Sequence, residues 1–470
     1  MIEAIKWHLY DYIGGYMFLV LALSLFLGFP VGLTLGGLAL LFTVAGIGLD
    51  LMSVNELFLY ADRLWQTAAV NQVLVAVPAF VFMGIMLEKS RVAAELLRAL
   101  QLILAKVPGG LGLAVTLLGT IMAATTGIIG ASVVMLTMMA LPAMLDAGYD
   151  KRLASGTVAS SATLGILIPP SIMLVMMADL MAIPVGDLFL AAVVPGLLLA
   201  GLYCVYIIVI GIFKPQRAPR IARASDEIGA ANIVRLMLKG FVPPVILITL
   251  VLGSIFAGWA TPTEAAGIGA FGAMLLAFFN KRLTGRILND VCVETASISA
   301  MIFLIMAGAT AFSYTFRALY GEDLILDFIS WMDLSHWGFL ILLMALIFFL
   351  GFFFDWLEIT LIVLPVFAPV VASMASEFAP ALGIEGLPIA DQRAQMLFWF
   401  AVIVAVNLQT SFLTPPFGFA LFFLKGSAPP EVKITDIYKG IIPFVAIQLV
   451  GLALVIAFPQ IALSLPRLLD

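Results

Sequence analysis

The chain has 470 residues, of which 63% are hydrophobic and only 11% charged. A soluble domain carries about 25% charged residues, so lipid must be the solvent for much of this surface. The net charge of −5 itself says little; no basic patch offers itself to nucleic acid, Cys204 and Cys292 form no CxxC pair, and His8 and His336 fall in no metal-ligand spacing.

Residues 1–12 mix acids with a lysine and lack the short apolar core and cleavage site of a secretory signal. They read as a retained juxtamembrane amphipathic stretch. Spans of roughly 17–25 apolar residues qualify as membrane helices. They are expected near 14–28, 31–47, 73–87, 111–125 and 129–145, then near 153–181, 188–212, 241–257, 262–279 and 296–316. The last fall near 338–352, 359–375, 396–424 and 441–458. Segments 54–68 and 91–104 look amphipathic and read as interfacial helices. The most polar link, 213–234, contains KPQRAPRIARASDE and divides the chain almost in half.

Charge placement orients the spans. Lys89, Arg91, Arg98, Lys106, Lys151 and Arg152 fall in two loops, and the central link adds Lys214, Arg217, Arg220, Arg223, Arg235 and Lys239. Lys281, Arg282, Arg286, Lys425, Lys433 and Lys439 complete the set. If these loops share a side, it holds 18 of the 23 Lys and Arg and is cytoplasmic by the positive-inside rule. Segments 111–125 and 129–145 then form a re-entrant hairpin from inside, and 338–375 one from outside, its flanks 317–337 and 376–392 being rich in acids. Both termini come out periplasmic.

The halves match in order. Each has a turn (Gly28-Phe29-Pro30 and Trp259-Ala260-Thr261-Pro262) and a hairpin whose returning arm carries a Leu-Pro pair (Pro142 and Pro365). Each then has a long span broken by Pro-Pro, in LGILIPPS (164–171) and SFLTPPFG (411–418), and equivalent features face opposite sides. The expected fold is an all-α polytopic membrane protein with inverted-topology repeats, two re-entrant hairpins and two broken helices. Residues 1–212 form the first repeat, with hairpin about 109–145 and broken helix about 153–181. A cytoplasmic link, 213–239, leads to the second repeat, 240–470, with hairpin about 338–375 and broken helix about 396–424.

The breaks and the hairpin tips carry the chemistry. Pro169-Pro170, preceded by Gly165, and Pro415-Pro416 remove backbone donors, and the freed carbonyls need partners that lipid cannot supply. A cation would serve; a simple packing kink is the alternative. The first tip, Thr125-Thr126-Gly127-Ile128-Ile129-Gly130-Ala131-Ser132, offers hydroxyls and small residues, which suit either a hard cation or close helix packing. The second tip holds Gly351, Asp355 and Glu358, the two acids placed deepest in apolar sequence. Asp355 is the stronger ion-coupling candidate. Na⁺-binding candidates are Thr126, Gly127, Gly130, Gly165, Pro169, Gly351, Asp355, Thr410, Thr414 and Pro415. The half-helices after Pro170 and Pro416 start in mid-membrane, where positive helix ends attract anions. Thr125, Ser171, Ser411, Pro170 and Pro416 are therefore candidates for an anionic substrate. Thr261-Pro262-Thr263-Glu264 reads as a capping box rather than a transport element.

The segments GTIMAATTGIIGA (119–131), GTVASSATLGILIPPSIMLV (156–175), ATPTEAAGIGA (260–270), GFFFDWLEITLIVLPVFAPV (351–370) and SFLTPPFGFALFFLKG (411–426) lie in both halves. Through them the chain resembles the large membrane subunit of tripartite ATP-independent periplasmic (TRAP) transporters, of the DctM type. LPAMLDAGYDKRLASGT and VGDLFLAAVVPGLLLAGLY resemble the branch labelled mannitol/chloroaromatic transport. The resemblance implies an elevator-type transporter of the bacterial inner membrane, in which a transport domain with both hairpins and both broken helices slides against a fixed scaffold. It implies Na⁺ as coupling ion, no other cofactor, and no ATP, in keeping with the lack of GxxxxGK[ST]. It implies two partners, a small four-helix membrane subunit and a periplasmic substrate-binding protein. Where many members have Ser-Gly-Ser, this chain has Thr126-Gly127-Ile128, so a backbone carbonyl must replace one hydroxyl. A stand-alone divalent-anion/Na⁺ symporter shares the hairpin plan. An intramembrane enzyme would need a nucleophile–base pair or a metal site, and the sequence has neither HExxH nor GxSxG.

Overall fold

The computed structural model describes residues 2–90, 92–126, 129–220, 238, 240–415 and 418–469. Among them the only regular structure is helical. The first half holds α1 (Ile2–Phe26), α2 (Val31–Gly48), α3 (Glu56–Trp65), α4 (Ala76–Lys89), α5 (Val92–Ile103), α6 (Gly110–Thr126), α7 (Ile129–Asp146), α8 (Lys151–Thr163), α9 (Ile172–Leu180) and α10 (Val185–Phe213). The second half holds α11 (Val242–Phe256), α12 (Pro262–Phe279), α13 (Gly285–Ala318), α14 (Gly321–Trp331), α15 (His336–Leu350), α16 (Trp356–Ser373), α17 (Ala375–Leu382), α18 (Ile389–Leu413), α19 (Phe419–Ser427), α20 (Ile434–Ala457) and α21 (Gln460–Leu469). Eight of the described helices are long and apolar enough to cross a membrane, so this is a multi-pass membrane protein.

Every expected span has a helix, and the interfacial segments are α3 and α5. The two hairpins are α6–α7 and α15–α16, and the two Pro-Pro spans are broken into α8–α9 and α18–α19. Three helices lie where none was expected. The flanks 317–337 and 376–392 contain α14 and α17, and the C-terminal segment forms α21. Each is short and amphipathic, below the length that marks a span.

Local chemistry sets the helix ends. Gly28 takes the left-handed conformation, φ +85°, which glycine adopts without penalty, and Pro30 stands at the N-cap position of α2. The expected capping box opens α12: Glu264 N donates to Thr261 Oγ1 (3.3 Å) and Thr261 N to Glu264 Oε2 (2.8 Å). Asp150 opens α8, its Oδ1 accepting from Arg152 N (2.9 Å) and Leu153 N (3.2 Å).

The chain forms two compact units. The first comprises Met1–Leu74, Ser297–Ile347 and Leu357–Leu397. Within it Phe18 of α1 meets Phe312 and Phe316 of α13 edge-on, at 5.4 and 4.9 Å between centroids. Buried Thr43 of α2 and Thr315 of α13 share a hydrogen bond of 2.9 Å. The base of the second hairpin is closed where His336 Nδ1 lies 3.6 Å from Glu377 Oε2 and Trp337 stacks edge-on against Phe378. Arg317 Nη2 donates to the Pro365 carbonyl at 2.7 Å.

The second unit comprises Val75–Ala296, Phe348–Trp356 and Phe398–Asp470. It holds the first hairpin, both Pro-Pro breaks and the tip of the second hairpin, whose arms belong to the first unit. Within it α8 and α20 cross with backbones in contact: a methyl on Gly156 would overlap the Gly440 carbonyl, and one on Gly440 the Arg152 carbonyl. Such approach through small residues is the usual packing of membrane helices, where no hydrophobic force acts between them. Gln448 of α20 donates to Tyr203 of α10 (2.8 Å), and Trp399 of α18 to the Val455 carbonyl (3.0 Å). Basic loops gather at one end of this unit. Asp150 N donates to the Arg217 carbonyl (3.0 Å), and Lys151 Nζ to the Glu431 carbonyl (3.0 Å).

Candidate functional site

The best-supported site is the end of α18. This helix is 94% buried over its most apolar stretch, against 33% for α10, so its polar residues are withheld from lipid and water alike. Pro415 has no N–H, so the Ser411 carbonyl loses its helical donor. Two hydroxyls nearby fold back on the helix. Thr410 Oγ1 donates to the Asn407 carbonyl and Thr414 Oγ1 to the Thr410 carbonyl, both at 2.6 Å. Each spends its proton on the backbone and keeps its oxygen lone pairs for a further partner.

Ser411 differs. Its hydroxyl is buried, 3% of the residue being exposed, and has no hydrogen-bond partner among the described residues. It lies where the second hairpin tip touches α18: a methyl on Gly351 would overlap the Ser411 hydroxyl. Only glycine fits at 351 because the backbone of the tip runs directly over this side chain. A buried hydroxyl left unmet costs about 1–3 kcal/mol, and a bound ligand at this contact would recover that.

Gln409 adds a second unmet group. It is fully buried, and neither its Oε1 nor its Nε2 has a partner among the described residues. At about 3.6 residues per turn, it faces away from Ser411, so the last turn of α18 presents unmet polar atoms on two sides. Gln409 is not among the candidates that the sequence pattern singles out. The available signal was an amide inside the apolar run 396–413, which is costly in a membrane unless it has a partner.

Asp355 lies just before α16, half-buried, its Oδ1 accepting from Trp356 N at 2.8 Å. Glu358 is half-buried in the first turn of α16, where negative charge meets the positive helix end. The tip packs against α18 through Gly351, four residues earlier.

The first break is built otherwise. After α8 a short turn of 3-10 helix, Leu164–Ile166, leads to a cis Pro169–Pro170 peptide and Ser171, the N-cap residue of α9. Pro170 deprives the Ile166 carbonyl of its donor, and the Ser171 hydroxyl donates to that same carbonyl. The Ser171 proton is therefore used within the break. Pro169 likewise leaves the Gly165 carbonyl without its helical donor. No hydrogen bond among the described residues joins this break to the second.

At the first hairpin, Thr125 and Thr126 are the last residues of α6; their side chains, Gly127 and Pro416 lie outside what the structure describes. Gly130, in the first turn of α7, lies beneath the Phe423 ring of α19. The structure thus brings the first hairpin against the half-helix that follows the second break, and the second hairpin tip against the half-helix that precedes it.

Comparison with known proteins follows the same lines. The family described as "Tripartite ATP-independent periplasmic transporter, DctM component" matches residues 16–461. The C4-dicarboxylate TRAP transporter large permease protein DctM of Rhodobacter capsulatus is 31% identical, over 96% of this chain and 98% of its own. The sialic acid TRAP transporter large permease protein SiaM of Vibrio cholerae is 28% identical, over 93% and 98%. Among solved structures, the YdaH transporter of Alcanivorax borkumensis shares the fold, with a TM-score of 0.58 at 15% identity, covering 88% of this chain and 91% of that one.

Proposed function

Because the chain belongs to the DctM component family of tripartite ATP-independent periplasmic transporters, a family of transporters and not of enzymes, we propose that it is the large permease subunit for Na⁺-coupled uptake of an organic acid anion. The relatives' names include C4-dicarboxylate and sialic acid transport, and both substrates carry carboxylate. The anion is delivered by a periplasmic substrate-binding protein, and a small membrane subunit completes the permease in the bacterial inner membrane.

The observation that carries this reading is the buried, unpartnered Ser411 hydroxyl at the Gly351 contact, one turn before Pro415. Hydroxyl and carbonyl oxygens suit a hard cation. Na⁺ here is held by the Ser411 hydroxyl and freed carbonyls of α18, with Asp355 supplying nearby negative charge. Gly165 and Pro169 mark the corresponding place at the first break, with Thr126, Gly127 and Gly130 at its hairpin. The organic anion binds beside these ions, towards the half-helix starts after Pro170 and Pro416. The two halves are inverted repeats, the hairpins re-enter the bilayer, and the site crosses the membrane as a rigid elevator.

The test is uptake into proteoliposomes. The chain with its small subunit and binding protein should accumulate substrate only under an inward Na⁺ gradient. Uptake by the chain alone would favour a stand-alone symporter, and uptake indifferent to Na⁺ would remove the ion from the mechanism.

A further inference from the structure

Where α8, α10 and α20 meet, the second unit holds a small cationic cavity apart from the break region. It measures about 270 Å³, and its lining includes Arg152, Arg217, Lys439, Tyr206, Ile210 and Ile442. The fold builds it deliberately. The glycine contact between α8 and α20 brings Arg152, in the first turn of α8, close to Lys439, which precedes Gly440. The Asp150–Arg217 backbone bond pins the turn after α10 to the same place.

Two carboxylates lie near, Asp150 in the lining and Asp436 beside Arg152, and both are engaged. Asp150 caps α8 through Oδ1. Asp436 lies 3.7 Å from Arg152 Nε and accepts from Lys433 N at 3.3 Å. Positive charge is left over, and the guanidinium of Arg217 and the ammonium of Lys439 are exposed to a ligand.

The rest of the lining is apolar. Ile210 lies in the last turn of α10, and Ile442 on α20 is 64% exposed. Both helices are long and apolar enough to cross a membrane, so the cavity sits where hydrocarbon gives way to water. A free anion would use the cations alone. An amphiphile uses both the cations and the isoleucine walls that continue along the two helices. Basic pockets between membrane helices are known to hold anionic headgroups. We propose that this cavity seats the phosphate of an anionic phospholipid among Arg152, Arg217 and Lys439, with its acyl chains against Ile210 and Ile442.

The experiment is native mass spectrometry of the delipidated chain in detergent, titrated with phosphatidylglycerol, phosphatidylcholine or inorganic phosphate. Phosphatidylglycerol should bind saturably and more tightly than phosphatidylcholine. Arg217→Gln and Lys439→Gln should each weaken it about fivefold, and together roughly twentyfold, while Lys439→Arg should retain it. Unchanged affinity in the double variant, or equal binding of phosphatidylcholine, would overturn the proposal. Inorganic phosphate displacing the lipid at equal concentration would assign the cavity to a free anion instead. Should the double variant misfold, the comparison of Lys439→Gln with Lys439→Arg decides, since position 439 is exposed and leaves the packing untouched.

Discussion

Arg317 donates from Nη2 to the Pro365 carbonyl at 2.7 Å, the one carbonyl of α16 that Pro369 leaves without a helical donor. A cation from α13 thus repairs a proline defect in the second hairpin. The same guanidinium pairs through Nε with Glu322 at 2.9 Å, both side chains being well exposed.

The two contacts of Arg317 differ in weight. An orphaned carbonyl costs about 1–3 kcal/mol, whereas an exposed ion pair contributes about 0–1 kcal/mol. Arg317→Gln should therefore lower thermal stability in detergent clearly more than Glu322→Gln. Equal shifts for the two variants would show that the ion pair, not the carbonyl, is what matters.

Ser411→Ala should leave stability unchanged or slightly raised, because it removes a buried hydroxyl that has no protein partner. It should nonetheless raise the Na⁺ concentration for half-maximal uptake. Gly351→Ala, which drives a methyl into Ser411, should abolish uptake, and Gly351→Ala with Ser411→Gly should recover part of it. Wild-type Na⁺ dependence in Ser411→Ala, measured at matched protein density, would remove this hydroxyl from the ion site.

Asparagine keeps a side-chain oxygen at the same place, so Asp355→Asn can keep the bond from Trp356 N and removes the charge. The expected result is a raised Na⁺ requirement with normal insertion. Glu264→Gln should instead cost modest stability and leave Na⁺ dependence alone, since Glu264 works within the capping box. A normal Na⁺ curve for Asp355→Asn would confine its role to the local bond with Trp356 N.

Gly440→Ala places a methyl against the Arg152 carbonyl. Overpacking of this kind costs about 1–3 kcal/mol, and here it would also part α8 from α20. A melting curve in detergent should show the loss. An unaltered curve would mean that the crossing has slack.

Membrane orientation is open to a reporter. If the basic loops are cytoplasmic, a C-terminal fusion that fluoresces only in the cytoplasm should stay dark. A bright, correctly inserted fusion would reverse the orientation.

The large features were legible in the sequence because each has a strong local cause. Apolar length gave the spans, Pro-Pro gave the breaks between α8 and α9 and between α18 and α19, and Thr-Pro-x-Glu gave the start of α12. What escaped depends on tertiary context. Helices α14, α17 and α21 are too short for a hydropathy signal. The weight of Gln409 appears only once α18 is known to be buried, and the role of Gly351 only once Ser411 lies beneath it. The bond of Arg317 depends on Pro369, fifty-two residues on, leaving the Pro365 carbonyl without a helical donor.

The residue after Pro-Pro is Ser171 in one break and Phe417 in the other. The first break therefore supplies its own donor to the Ile166 carbonyl, and the second has no hydroxyl at that position to do likewise. One discontinuity thus meets one of its two freed carbonyls from within, while the Gly165 carbonyl there, like the Ser411 carbonyl at the other, loses its helical donor. Loading the protein should then register unevenly in hydrogen exchange: amides of 409–414 should slow more on occupation than those of 164–168. The two halves would then report occupancy of the carrier unequally, more strongly at the end of α18 than at the break after α8.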